Sequence, residues 1–304
     1  MPNSDLCGVI SAVTTPVTKS FDIDAARLAR HCERLLSTGC SFVSTFGTTG
    51  EGASLSSQHK VAALEQLKAE GADLARHIPS VMTPSADEAG RMIAAAAALG
   101  CRGVLVLPPF YYDAPTDEGI VAFIDDAMTR AGRPDIDILL YNIPRFSRIT
   151  YTPELIDKLI AKFGAAIVGL KDSTGVAANA VMLAERYPNL SIFTGDDRVM
   201  PGLVTAGGAG MIGGMPNVFC ADLAKIYAAP TSPETATLRE YAAQRIGTVD
   251  SNGGMLALKA ALAAIYDDAA WLRAVPPLQG LNSAQATAVL AAFAKTGFVP
   301  GNAA

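Results

Sequence analysis

One lysine stands out for chemistry among the 304 residues. Lys171 ends the apolar run 165–170, and the polar residues that end the other apolar runs include hydroxyls but no histidine. Lysines held away from water give up their proton more readily than solvated ones, and a free amine adds to carbonyl carbon. The plainer alternative is a lysine leaving a strand into solvent and pairing with its neighbour Asp172. Tyr141 ends another apolar run, and a phenol beside an amine can pass protons between it and a substrate. Gly47, Thr48, Thr49, Gly50 and Glu51 form a short glycine-bounded segment whose amides and hydroxyls suit a carboxylate, although such segments are commonly only turns.

These residues need elements that bring them together. Short apolar runs at 9–15, 41–46, 78–83, 103–107, 136–141, 166–170, 190–194 and 210–213 alternate with helix-like stretches at 24–37, 57–70, 86–99, 117–129, 153–162 and 177–186. The runs are near-continuous and β-branched rather than alternating, as expected for parallel strands covered on both faces. Eight such units predict a (β/α)8 barrel over residues 1–220, and residues 221–304 read as a C-terminal helical appendage. In that architecture active groups collect at the carboxyl ends of the strands. Thr48, Thr49, Tyr111, Tyr112, Tyr141, Lys171, Asp196, Asp197, Gly213 and Gly214 all fall there.

Charge and composition remove other classes. A net charge of −5 with no Lys/Arg run leaves no field for a phosphate backbone, so nucleic acid is not an expected partner. No membrane-spanning or signal-peptide pattern is present, and the reading is cytoplasmic. Five cysteines at 7, 32, 40, 101 and 220 lack a CxxC pair and read as small buried hydrophobes, not as a disulfide framework or zinc site. His31, His59 and His77 lie away from strand carboxyl ends and read as structural. Gly207, Gly208 and Gly210 admit a phosphate loop of a sugar-phosphate barrel, a reading that leaves Lys171 and Tyr141 idle. A barrel that binds 2-oxo acids without catalysis is the third class.

The segments GTTGE (47–51), PFYY (109–112), YNIP (141–144), GLKDS (169–173) and TGDD (194–197) occur in order with compatible spacing. Together they resemble the dihydrodipicolinate synthase / N-acetylneuraminate lyase superfamily of pyruvate-dependent class I aldolases. The resemblance implies that Lys171 forms the Schiff base, Tyr141 shuttles protons, Thr48 completes the hydroxyl relay and Thr49 with Gly47 holds the pyruvate carboxylate. It implies that Tyr112 is exchanged across a subunit interface in a homotetramer, a dimer of dimers. No metal and no bound cofactor are implied beyond the covalent imine. Ser147, Ser173, Asp197, Gly213 and Gly214 are the further substrate-binding candidates.

The resemblance breaks after YNIP. The synthase branch continues Ser-Arg-Thr-Gly, with the arginine binding the carboxylate of aspartate semialdehyde, whereas Phe146 stands at that position here, between Arg145 and Arg148. Phe146-Ser147 is closer to the aldolase branch, which makes a 2-keto-3-deoxy sugar acid or another 4-hydroxy-2-oxo acid the expected substrate. Condensation of pyruvate with aspartate semialdehyde is the alternative.

Overall fold

The computed structural model describes residues 5–302. Eight strands, β1 (Gly8–Ala12), β2 (Phe42–Ser44), β3 (Ser80–Val81), β4 (Gly103–Val106), β5 (Asp137–Asn142), β6 (Ile167–Asp172), β7 (Ser191–Thr194) and β8 (Gly210–Gly213), pair in parallel in the order β2-β1-β8-β7-β6-β5-β4-β3. The sheet curls shut at the β2/β3 seam. There Ile78 N donates to Val43 O at 2.9 Å, Ser80 N donates to Thr45 O at 2.8 Å, and the Ser44 and Ser80 hydroxyls meet at 3.2 Å. Strands β1, β2, β3, β4 and β7 are shorter than the apolar runs that announced them, while β5 and β8 match theirs in length and β6 extends two residues further, to Asp172.

Helices α1 (Ala25–Ser37), α2 (Ser57–Ala69), α3 (Ala86–Leu99), α4 (Asp117–Arg130), α5 (Pro144–Ser147), α6 (Pro153–Phe163), α7 (Ala177–Arg186), α8 (Met200–Thr205) and α9 (Pro216–Ala228) lie between or after the strands. Asp24, Ser56, Ser85, Thr116 and Thr152 cap α1, α2, α3, α4 and α6 by accepting from amides in the first turn. Each such cap stabilises its helix by about 1 kcal/mol. The expected boundary at residue 220 falls inside α9, which packs on β1 as the eighth barrel helix. Beyond it α10 (Ala236–Ser251), α11 (Met255–Ile265) and α12 (Ser283–Ala294) pack on one another and on α9. Among the described residues no helix is long and apolar enough to cross a membrane.

Two apolar cores follow from strand alternation. Ile10, Leu105, Leu139, Tyr141, Phe193 and Ile212 belong to the smaller one, inside the barrel. Val9, Val104, Val106, Ile138, Leu140 and Ile192 belong to the larger one, between strands and helices.

Strand β6 departs from this alternation. Ile138 pairs with Ile167, but the next residue, Leu139, pairs with Gly169, so β6 takes two residues where β5 takes one. Val168 therefore packs inside, Leu170 outside, and Lys171 faces inward opposite Tyr141. Strict alternation from Val168 would have turned Lys171 outward. Gly169 lets the neighbouring strand close in: a Cβ there would lie 2.5 Å from Ser191 O. Gly169→Ala should therefore strain a backbone contact that no side-chain rotation relieves. The expected loss is about 1–3 kcal/mol, read as a lower urea midpoint with unchanged slope.

Candidate active site

Lys171 and Tyr141 sit side by side at the carboxyl ends of β6 and β5, as Cα partners of the parallel pairing. Both are nearly enclosed, Lys171 at 5 % exposure and Tyr141 at 2 %. The Lys171 amine lies 4.1 Å from the Tyr141 ring centroid. The Tyr141 hydroxyl meets Thr48 Oγ1 at 3.1 Å, a contact that joins β5 to the loop after β2.

Asp172 is not the partner of Lys171. Facing the other way on the strand, its carboxylate accepts from Asn142 Nδ2 at 2.8 Å, Thr174 Oγ1 at 2.7 Å and Asn179 Nδ2 at 3.1 Å. Among the described residues no carboxylate pairs with Lys171. An amine so placed faces the barrel mouth, where it can meet an incoming carbonyl.

The loop after β2 is wound tightly. The amides of Gly50, Glu51 and Gly52 donate to Gly47 O, Thr48 O and Gly47 O at 3.1, 3.1 and 3.0 Å. Those of Thr48 and Thr49 donate to no described group, so two adjacent N–H groups stay free at the mouth, the arrangement that a carboxylate needs. Glu51 takes the left-handed conformation, φ 56°, and turns its side chain away from the mouth. There it forms an ion pair with Lys259 of α11, and its other oxygen accepts from Val275 N at 2.5 Å. Lys259 also donates to Thr15 O at 3.0 Å and Arg273 O at 2.5 Å. Both charged groups are buried; burial pushes the Lys259 ammonium down, and the Glu51 carboxylate opposes that shift.

The opposite rim comes from β6, β7 and β8. Gly214 lies against Thr49, since a Cβ there would meet Thr49 Oγ1 at 3.1 Å and Leu258 Cδ1 of α11 at the same distance. Ser173 has its hydroxyl over Gly195, where a Cβ would be only 2.3 Å away. Asp197 is buried, with Oδ1 3.8 Å from where a Gly213 Cβ would be. Burial, reinforced by the charge of Asp196, pushes its carboxyl up to about 8. Asp196 itself is held by the Arg198 guanidinium at 2.6 Å.

Some candidates lie apart from this group. Ser147 is buried, but its hydroxyl donates to Ile143 O at 3.1 Å and Ile149 O at 2.9 Å, stabilising the α5 turn and facing no open space. Phe146 stands out at 56 % exposure with Arg145 over its ring at 5.3 Å, and Arg145 and Arg148 are both exposed. Tyr112, 73 % exposed, stacks edge-on against Tyr111 outside the pocket. Gly207 and Gly208 precede β8 and Gly210 opens it, so they occupy the amino end of that strand, opposite the mouth. A phosphate loop at those glycines would face away from Lys171.

The sequence reading missed two positioning residues. Asn217, at the start of α9, donates to Ala12 O and Gly214 O, both at 2.7 Å, and accepts from Thr14 N at 3.0 Å. Its oxygen also meets His31 Nε2 at 2.9 Å, which makes that histidine part of the scaffold. Lys259 is the other, and its buried charge inside the apolar segment 255–265 was the available signal. Among the described residues no group of three or more His, Cys, Asp or Glu could hold a metal ion.

Fold and site place the chain among the (β/α)8-barrel lyases. Residues 5–288 match the dihydrodipicolinate synthetase family. A Chloroflexus aurantiacus protein described as an uncharacterized DapA-like lyase is 35% identical over 213 residues, 70% of this chain and 71% of that one. A 4-hydroxy-tetrahydrodipicolinate synthase of Mycolicibacterium paratuberculosis is 30% identical over 258 residues, 84% and 83% of the two chains. The crystal structure of dihydrodipicolinate synthase from Agrobacterium tumefaciens superposes with a TM-score of 0.87 at 28% identity, covering 95% of this chain and 99% of that one. A 2-keto-3-deoxygluconate aldolase variant of Sulfolobus solfataricus shares the fold, with a TM-score of 0.84 at 19% identity over 95% and 96% of the chains. The chain belongs to the dihydrodipicolinate synthetase family.

Removing one partner of the buried ion pair strands the other charge. Lys259→Met should cost about 3–5 kcal/mol in denaturant unfolding, and pairing it with Glu51→Gln should recover part of that loss. Asp197 gives a second test. Its folded pKa lies above the unfolded value of 3.8, so the native state holds the extra proton and stability falls as pH rises from about 4 to about 8. Asp197→Asn should flatten that slope in urea titrations across the same window; an unchanged slope would mean that Asp197 is ionised in the fold.

Proposed function

We propose that the protein is a class I lyase that makes or breaks a carbon–carbon bond through an imine between Lys171 and pyruvate. The observation that carries the reading is the unpaired Lys171 amine beside Tyr141, with Thr48 continuing the hydroxyl chain.

The chemistry follows from the arrangement. The amine adds to C2 of a 2-oxo acid and water leaves, so the resulting iminium draws electrons from C3. The Thr48 and Thr49 amides hold the carboxylate, which turns C2 toward Lys171 without a cation. Tyr141 gives its proton to the departing hydroxyl as the iminium forms, and in the cleavage direction the resulting phenolate takes the proton of the C4 hydroxyl as the C3–C4 bond breaks, which releases an aldehyde and leaves an enamine. Protonation at C3 and addition of water then free pyruvate and the amine. The cycle balances with these residues alone and calls on no metal or organic cofactor.

The substrate in this reading is a 2-keto-3-deoxy sugar acid or another 4-hydroxy-2-oxo acid, which is cleaved to pyruvate and an aldehyde. Phe146 supports it, because an apolar ring stands where the synthase branch has its carboxylate-binding arginine. Ser173 and Asp197 offer polar contacts to a hydroxylated chain, and Gly213 and Gly214, packed against Met211, Thr49 and Leu258, form the rim beside them. Ser147 holds the α5 turn and so shapes the wall carrying Phe146. The second reading, condensation of pyruvate with aspartate semialdehyde, is supported by the synthase relatives and by the exposed Arg145 and Arg148. Tyr112 belongs to the reading as a residue delivered to a neighbouring subunit of a tetramer, and its exposure on the isolated chain supports that.

Tyr141→Phe should lower turnover by roughly two to four orders of magnitude while pyruvate still forms its imine, measured by steady-state assay beside mass spectrometry. Near-normal turnover would remove Tyr141 from the mechanism. Comparing kcat/KM for 4-hydroxy-2-oxo acids with that for aspartate semialdehyde separates the two readings. The semialdehyde should be the poorer substrate, and Phe146→Arg should improve it by roughly ten- to a hundredfold, the worth of one charge-assisted hydrogen bond. Efficient semialdehyde turnover by the unaltered protein would favour the second reading.

A further inference from the structure

We propose that Cys40 and Cys220 form a redox-active dithiol, which a small hydroperoxide entering the cavity beside α9 converts to a disulfide. The two sulfurs are 180 residues apart in sequence and 2.8 Å apart in space. Gly39 makes the approach possible. Its φ of +120° turns the chain back after α1, and a Cβ there would stand 3.0 Å from Ala224 Cβ and 3.8 Å from Cys220 Sγ. Cys40 is thereby laid against α9 just after the helix is interrupted at Phe219, whose φ and ψ are −121° and 34°.

The surroundings distinguish the two thiols. Cys220 lines a cavity of about 240 Å³ together with Arg34, Thr38, Asp222, Arg245 and Phe298. Its contact with the Cys40 thiol draws the Cys220 thiol below the usual value despite burial, with the Arg34 charge contributing in the same direction. Cys40 is driven the opposite way by the same contact and by burial. Cys32 and Cys101, with no such partner, are pushed up to about 12 and about 11 by burial. Cys220, which lines the cavity, is the thiol that an entering peroxide meets and the one that attacks, and Cys40, outside the lining, is the resolving thiol.

The reaction balances. Cys220 Sγ attacks one peroxide oxygen, the O–O bond breaks, and the departing oxygen takes a proton to leave as water or an alcohol. Cys220 is then a sulfenic acid, and Cys40 Sγ attacks its sulfur, forming S–S and breaking S–O while the hydroxyl leaves with the Cys40 proton as water. Two thiols are oxidised by two electrons and one peroxide is reduced. The new bond would link the entry of β2, whose far end carries Thr48 and Thr49, to α9, which follows Gly213 and Gly214.

The full-length protein, freshly reduced, is treated with hydrogen peroxide, unfolded in the presence of N-ethylmaleimide and digested without reductant. The expected product is one cross-linked peptide pair containing Cys40 and Cys220, two hydrogens lighter than its components, with Cys32 recovered alkylated. With dimedone present, Cys40→Ser should accumulate a sulfenic adduct at Cys220, and Cys220→Ser should leave Cys40 unlabelled. If both cysteines come back alkylated after a dose that oxidises Cys7 or Cys101, or after prolonged excess peroxide, the proposal fails. It also fails if the cross-link joins other cysteines. The unaltered protein decides the matter even where a serine variant does not fold.

Discussion

Which way Lys171 points is settled two residues earlier, by the register shift between β5 and β6. A parallel strand shows alternate residues to the barrel interior and to the helices, so a single step of slippage exchanges every face. The shift at Val168 and Gly169 puts Leu170 outside, Lys171 inside and Asp172 outside again, and it aligns Lys171 with Tyr141. The amine is then enclosed by the barrel wall and the phenol, while Asp172, which would have quenched it, is consumed by Asn142, Thr174 and Asn179. Steric necessity at Gly169 and electrostatic separation at Asp172 thus serve the same end.

A second constraint ties the barrel mouth to the C-terminal helices. The loop that carries the Thr48 and Thr49 amides ends in Glu51, whose charge is buried against Lys259 on α11. Such a pair adds little net stability against an apolar substitute but is costly to break, so it acts chiefly to fix one arrangement. Asn217 does a similar job for the Gly214 rim, through hydrogen bonds to β1, to Gly214 and to His31. The barrel carries Lys171 and Tyr141, and α9 with α11 holds the Thr48–Glu51 loop and the Gly214 rim around them.

Much of this was legible in the sequence, for physical reasons. Runs covered on both faces announce parallel strands, and eight alternations with helices announce the barrel; Gly210–Gly213 and Ala177–Arg186 even fall at the expected residues. Polar residues closing apolar runs marked Lys171, Tyr141 and Thr48, which the structure brings together. The same continuity hid the facing of Lys171, since a run apolar on both sides has no period from which to read a register shift. Ser147 looked like a pocket hydroxyl because sequence cannot tell a free hydroxyl from one bonded to Ile143 and Ile149. Lys259, Asn217 and the contact between Cys40 and Cys220 depend on pairings across some 180 to 240 residues, which no local pattern encodes.

Covalent chemistry at one side chain, Lys171, is what the proposed activity requires. Borohydride reduction in the presence of saturating pyruvate, followed by peptide mass spectrometry, reads that chemistry directly. A reduced three-carbon adduct confined to the peptide bearing Lys171, and lost in Lys171→Ala, is the predicted result. An unmodified Lys171 peptide, or an adduct spread over surface lysines, would contradict it.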